Sequence, residues 1–345
     1  MKKILIIHTA FIGDIILSTP LIKKLKAKYV EDGCSITYVT TPAGASLLKN
    51  NPDLDEIIAY DKRGAHKGWK GLYLLGKRLN YKGFDEVIIL HRYIRSSILG
   101  KLTGAPVRIG YDNASGKFLL TKKIHYDKSK HEVEKLLSFV DLEDFQDTTL
   151  SLYPSEVEKE KIDKIWKENN LEDKKVILIA PGSKWFTKRW PLEYFNELLQ
   201  KLAKNSNYRI LIIGGQEESM FNMYTDKNIV NLCGKTTLLD VAEICRRSDL
   251  IVTNDSSPIH IASAFQNIHI IAIFGATTKE LGFFPWSKNS EVLENNELDC
   301  RPCGLHGGEK CPKGHFKCML DIKPEMVYDK IEEYIDNRAE LNNKA

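Results

Sequence analysis

The chain has 345 residues, 43% hydrophobic and 28% charged, an ordinary folded composition that excludes a disordered or fibrous chain. That length exceeds what one hydrophobic core usually organises, so two domains are expected. Fifty Lys plus Arg against 46 Asp plus Glu leave +4, too little to mark a nucleic-acid or other polyanion binder, so an anionic ligand must be met locally.

Short apolar runs alternate with helix-length amphipathic segments, the pattern of βα units and of parallel sheets buried on both faces. In the first half the pattern predicts strands over 3–8, 35–40, 56–60 and 86–90, a weaker one over 107–109, and helices over 14–29, 42–50, 70–80 and 93–102. The second half restarts it, with strands over 175–180, 209–213, 229–232, 250–253 and 269–274. Segment 141–170, rich in Asp, Glu and Lys, reads as a linker region in which Pro154 opens a polar helical stretch. Pro324 begins a last amphipathic helix through Met326, Val327, Ile331 and Tyr334, with a frayed end at 341–345. The expected organisation is thus α/β, with doubly wound Rossmann-like domains over 1–155 and 156–322 and a C-terminal helix over 323–345 that could pack back on the first domain. In such folds the loops leaving the strands carry ligands.

No run approaches the roughly 18 apolar residues of a membrane helix. Lys2 and Lys3 before an apolar run imitate a signal peptide, but Gly13-Asp14 interrupts it and no small-residue cleavage site follows, so a cytosolic chain is expected. Seven Cys in a long chain then fit reduced thiols better than a secreted disulfide framework.

Four loops could carry chemistry. His8 to Asp14 leaves the first strand and enters a helix, where Asp14 is either a helix-capping carboxylate or a general base. The G-x-G-x-x-G dinucleotide fingerprint is absent there, which counts against an NAD enzyme. Pro181-Gly182-Ser183, then Thr187-Lys188-Arg189-Trp190-Pro191, brings glycine, hydroxyls and cations to a helix start; it is a diphosphate site or a solvated basic loop anchored by Trp190. Gly214-Gly215-Gln216-Glu217-Glu218 offers a carboxylate for ribose hydroxyls, or a surface acid at a helix start. Asn254-Asp255-Ser256-Ser257-Pro258, with His260 one turn further, is a hydroxyl-rich helix start suited to phosphate, although a lone histidine is more often packed than catalytic. No G-x-S-x-G elbow supports a serine hydrolase.

Taken in order, Gly-Asp, P-G-S with T-K-R-W-P, G-G-x-E and N-D-S-x-P-x-H resemble the glycosyltransferase family 9 heptosyltransferases of lipopolysaccharide core synthesis, over nearly the whole chain. The segment with Cys300, Cys303, Cys311, His315 and Cys318 resembles the branch that adds the second heptose. The resemblance implies a GT-B fold with its two Rossmann-like domains facing a cleft, the first binding acceptor and the second the donor ADP-heptose. It implies inverting transfer without a catalytic metal or cofactor. By motif it makes Asp14 the general base, puts Thr187 and Lys188 on the diphosphate and Glu217 on the ribose, and lines the donor pocket with Ser183, Asp255, Ser256, Ser257 and His260. Ser257 stands where the family usually has glycine, which bears on how closely the backbone approaches phosphate.

The implied acceptor is an anionic glycolipid, the partner a peripheral contact with the inner face of the cytoplasmic membrane, with no nucleic acid. Lys62, Arg63, Lys67 and Lys70, then Lys117, Lys122 and Lys123, are scattered cations that suit such an acceptor or merely solvate a face; Arg63 and Lys117, in loops between βα units, are the chosen candidates. The four-cysteine segment admits reduced structural thiols, a disulfide or structural zinc, with His306 and His315 as substitute ligands, and is expected to pin a long loop. Transfer of another nucleotide-activated sugar, or nucleotide binding without turnover, are the alternatives to heptose transfer.

Overall fold

The computed structural model describes residues 1–344, with side chains through Arg338, and divides into two compact units, Met1–Tyr153 and Pro154–Ala345. The first unit runs β1 (Lys2–Ile7), α1 (Ile12–Leu17), α2 (Thr19–Lys28), β2 (Cys34–Thr40), α3 (Pro42–Leu48), β3 (Glu56–Ala59), α4 (Gly68–Asn80), β4 (Glu86–Ile89), α5 (Ile94–Leu102), β5 (Val107–Tyr111), β6 (Lys122–Ile124) and α6 (Glu132–Leu137). Its sheet is parallel in the order β3-β2-β1-β4-β5-β6. The order reverses between β1 and β4, so the loops leaving these two strands flank the crevice where such sheets bind ligands. Ile4 to Ile7 of β1 are fully buried, as expected for a central strand covered on both faces.

The single helix expected over 14–29 is two. Pro20 has no N–H to give to Ile16, and the Thr19 hydroxyl donates to that carbonyl instead at 2.8 Å, so the chain turns at Ser18 before resuming. Strand β6 was not expected, because Lys122 and Lys123 are exposed on a sheet edge and leave no apolar run to read. Helix α4 buries Gly71, Leu72, Leu75, Gly76 and Leu79 against the core around Leu5, Ile7 and Ile58. Its rotation is set by two close approaches, Gly71 to the His66 backbone and Gly76 to Leu102 of α5.

The second unit runs α7 (Glu156–Glu168), β7 (Lys175–Ala180), α8 (Leu192–Leu202), β8 (Tyr208–Ile212), β9 (Ile229–Asn231), α9 (Leu238–Arg247), β10 (Leu250–Asn254), α10 (Ser257–Ala262), β11 (His269–Phe274), β12 (Ser290–Glu294), α11 (Lys317–Leu320) and α12 (Pro324–Lys344). Its parallel order, β12-β11-β10-β7-β8-β9, repeats that of the first unit, with the reversal between β7 and β10. The edge strand β12 was missed for the same reason as β6, since its residues are all only half-buried. The charged stretch read as a linker is partly structural: α7 buries Ile162 and Trp166, Arg247 of α9 pairs with Asp163 at 2.6 Å and lies over the Trp166 ring, and Lys161 pairs with Asp240. Helix α12 buries Val327 and Ile331 in the second unit's own core beside α8, and Lys201 pairs with Glu325 at 2.8 Å. That packing takes up its apolar face. The end expected to fray, 341–345, lies outside the residues whose side chains are described. Among the described residues no helix is long and apolar enough to cross a membrane.

A Cβ at Gly76 would stand 2.5 Å from Leu102 Cβ, closer than side chains tolerate. Gly76→Ala, worth about 1 kcal/mol of stability in an uncrowded helix, should therefore destabilise instead, and its cost should be smaller in a Leu102→Gly background, which lacks that Cβ; a double-mutant cycle by urea unfolding measures it.

Candidate active site

The second unit's site grows from the carboxyl ends of β7 and β10. Asn254, the last residue of β10, donates its side-chain amide to Pro181 O at 2.8 Å and accepts the Trp190 N–H at 3.0 Å, fixing both ends of the P-G-S loop to the sheet. Trp190 is buried against Tyr194 and Phe195 and donates its indole N–H to Ile322 O, so the far end of the loop is anchored in the core. Arg189 donates to Ser183 O at 2.6 Å and the Ser256 hydroxyl to Gly182 O at 3.2 Å.

At the centre Lys188 Nζ meets Asp255 Oδ2 at 2.6 Å, with both side chains mostly buried, and the Thr277 hydroxyl donates to the same carboxylate at 2.5 Å. Removing two charges from water is costly unless they are paired and hydrogen-bonded, and this pair is both. The cation is thus held on a buried tether beside the loop of backbone that a phosphate would approach. Ser257 opens α10 half-buried, and its φ is not in the left-handed region, so the position does not require the family's glycine. His260 is buried in the next turn.

Thr187 and Glu217 sit in opposite surroundings, one buried and one exposed. Thr187 is 2% exposed; its N–H donates to Gly308 O at 3.0 Å and its hydroxyl accepts the Gly308 N–H at 2.8 Å, so it ties down the cysteine segment instead of lying open to a diphosphate. In the G-G-x-E loop Glu217 is exposed, while Glu218 folds back to accept the Gly215 N–H at 2.8 Å and lies where Cβ atoms at Gly182 and Gly214 would fall. Glu218 therefore shapes the loop and leaves Glu217 open to solvent. Adjacent acids of one type gave no local signal to tell them apart.

The cysteine segment braces this site by means other than its sulfurs. Arg301, nearly fully buried, donates to the carbonyls of Gly275, Asn295 and Thr277 and pairs with Glu294 at 2.8 Å. Cys303 N–H reaches Ala276 O at 2.7 Å, and Phe316 stacks on Phe186. None of the cysteines is in a disulfide, and among the described residues no three Cys, His, Asp or Glu are placed to hold a metal. Burial pushes the Cys318 thiol up to about 11. Burial acts upward on Cys311 too, but N–H groups of Phe316, Lys313, Gly314 and His315 hold it below its ordinary value.

In the first unit Asp14 is the third residue of α1 and accepts the Phe11 N–H at 3.1 Å, so the capping role is real. It remains half-exposed on the loop leaving β1. Lys62 donates to Thr9 O at 3.3 Å on that same loop, and the Thr9 hydroxyl is 3.4 Å from His91 Nδ1. Burial, with Lys62 and Arg92 nearby, pushes His91 down to about 4, so it is neutral near pH 7. His8 is held neutral by burial at about 3 and faces the Tyr38 hydroxyl at 3.0 Å. Arg63 and Lys117 are both exposed, and no described contact joins either to the Asp14 loop. In the sequence Lys62 reads only as one of several scattered acceptor-side cations, and His91 is not read at all. The position of His91 directly after the fourth strand, at the order reversal, was the available signal.

A model of glycosyltransferase family 9 (heptosyltransferase) matches residues 72–310, more than two thirds of the chain. The chain belongs to glycosyltransferase family 9. The lipooligosaccharide heptosyltransferase 2 of Campylobacter jejuni is 27% identical to it, over 97% of this chain and 99% of that one. Two solved structures share the glycosyltransferase's fold: a family 9 glycosyl transferase of Veillonella parvula (TM-score 0.85, 24% identity, 97% and 98% covered) and the E. coli ADP-heptose LPS heptosyltransferase II (TM-score 0.78, 22% identity, both chains fully covered).

Since the Thr187 hydroxyl is the acceptor for Gly308 N–H, Thr187→Val should leave that donor unpaired and loosen the 300–318 segment. The expected result is a loss of about 1–3 kcal/mol in unfolding free energy and faster proteolytic cleavage within that segment, read by mass measurement of the fragments.

Proposed function

We propose that this glycosyltransferase moves heptose from ADP-heptose to the inner core of a lipopolysaccharide precursor, inverting the anomeric carbon, at the cytoplasmic face of the inner membrane. The observation that carries the reading is the buried Lys188–Asp255 pair set among Gly182, Ser183 and Ser256, in a chain whose relatives are named heptosyltransferases.

In this reading the second domain binds the donor. The backbone around Gly182 and Ser183, the Ser256 and Ser257 hydroxyls and Lys188 receive the diphosphate, Glu217 takes the ribose hydroxyls, Asp255 keeps Lys188 in place and His260 lines the donor pocket. Thr187 contributes by holding the turn that carries Lys188. The first domain binds the anionic glycolipid, with Arg63 and Lys117 as outlying cations and Lys62 nearer the β1 loop. Asp14 removes the proton from the acceptor hydroxyl as its oxygen bonds to the anomeric carbon. On the opposite face the bond to ADP breaks, its electron pair passes to the β-phosphate oxygen, and Lys188 neutralises the growing charge. One displacement with one base gives inversion. None of these steps assigns work to a metal.

Incubation with ADP-heptose, other ADP-sugars and UDP-sugars plus a core acceptor, followed by mass measurement of the glycolipid, tests the assignment. A gain of one heptose from ADP-heptose alone is expected; transfer from a UDP-sugar, or no transfer, would overturn it.

Asp14→Asn should lower kcat by roughly 10² to 10⁴ while ADP affinity stays within about twofold, as for loss of a positioned general base. Loss of fold with an unchanged rate per folded molecule would reduce Asp14 to its capping role.

Lys188→Ala should weaken ADP binding by calorimetry and lower kcat as well. It should also cost about 3–5 kcal/mol of stability, because Asp255 is then left buried without its counter-charge. Unchanged ADP affinity would remove Lys188 from the site.

A further inference from the structure

Between Asp61 and Asp85 the chain has no acid, but it carries Lys62, Arg63, Lys67, Lys70, Lys77, Arg78 and Lys82. In a protein whose net charge is only +4, this is a strongly local excess of positive charge. Three of these cations, Lys70, Lys77 and Arg78, belong to α4. The contacts of Gly71 and Gly76 fix which side of that helix faces the core, and so fix which side faces out.

The outer side is a single stripe at helical spacing: Lys70, Tyr73, Leu74, Lys77, Arg78 and, just past the helix end, Tyr81. Trp69 adjoins it and is 62% exposed; Tyr73 is 48% and Leu74 54% exposed, and Tyr81 is 87% exposed. Lys82 is taken up by Glu56 at 2.8 Å, whereas Lys70, Lys77 and Arg78 have no ion-pair partner among the described residues. Lys77 Nζ lies over the Tyr73 ring, one helical turn away.

An ordinary solvated helix face mixes Glu with Lys and does not expose Trp, Tyr and Leu together. Aromatic rings and an aliphatic side chain interleaved with unpaired cations, and no acid, match a surface that is anionic outside and apolar a few ångströms in. A nucleic acid would satisfy the cations but not Leu74, and the chain's low overall charge argues against it.

We propose that the outer face of α4 docks on an anionic lipid bilayer, its cations among the headgroups and Trp69, Tyr73 and Leu74 in the interfacial layer. This rests on the membrane contact proposed above and names the surface that makes it. It would hold the first domain at the membrane that carries its acceptor.

The full chain is sedimented with phosphatidylcholine vesicles containing a third of phosphatidylglycerol and with vesicles of phosphatidylcholine alone. Binding to the anionic vesicles only, weakened by salt, is expected. Lys77→Glu/Arg78→Glu should lower the partition coefficient at least about tenfold. Tyr73→Ser/Leu74→Ser should lower it too, while ADP affinity and thermal unfolding stay as in the wild type for both. Turnover on a delipidated, water-soluble acceptor should also be unchanged, which separates this surface from the assigned reaction. Equal sedimentation with both vesicle types would overturn the proposal. So would charge-reversed protein that still binds, or displacement of bound vesicles by single-stranded DNA. A dimer abolished by these substitutions while vesicle binding persists would show the face to be a contact between copies.

Discussion

The second domain is organised around one buried charge pair. Lys188 and Asp255 sit on loops from strands β7 and β10, far apart in sequence, and neither could be buried alone without a cost of several kcal/mol. The pair is affordable because the surrounding groups are already satisfied: Thr277 donates to the carboxylate, Asn254 bridges Pro181 and Trp190, and Ser256 reaches Gly182. Each bond crosses between loops and fixes one against another. Such preorganised donors and charges are what stabilise a departing diphosphate with little rearrangement.

The cysteine segment belongs to the same construction. Arg301 holds the carbonyl of Thr277, whose hydroxyl holds Asp255, whose carboxylate holds Lys188. On the other side Thr187 and Gly308 exchange two hydrogen bonds one residue before that lysine. A segment that would draw notice for its sulfurs thus works through an arginine, a threonine and an aromatic stack. Disturbing it should be felt at Lys188.

The two domains share a strand order yet place their cations differently. The second keeps one cation buried and paired, which suits a small ligand recognised by position. The first displays three cations on an exposed helix face, each worth little alone and screened by salt, which suits a broad anionic surface. Aromatic side chains on that face add apolar contact that screening does not remove.

Much of this was legible in the sequence. Buried parallel strands appear as unbroken apolar runs, and four motifs in order, each directly after such a run, marked the loops at the switch points and the family. Strands β6 and β12 were illegible because an edge strand is held by backbone pairing to a neighbour, which does not require apolar side chains. The break at Ser18 depends on a proline and a threonine hydroxyl acting together within a pattern that reads as one helix. Which of Glu217 and Glu218 folds inward, that Thr187 faces Gly308, and that His91 and Lys62 border the Asp14 loop were decided by packing between residues tens to more than a hundred positions apart. Local periodicity reports which side of an element is apolar; only the assembled core, through contacts such as Gly76 on Leu102, determines where the opposite side points and which polar groups meet there.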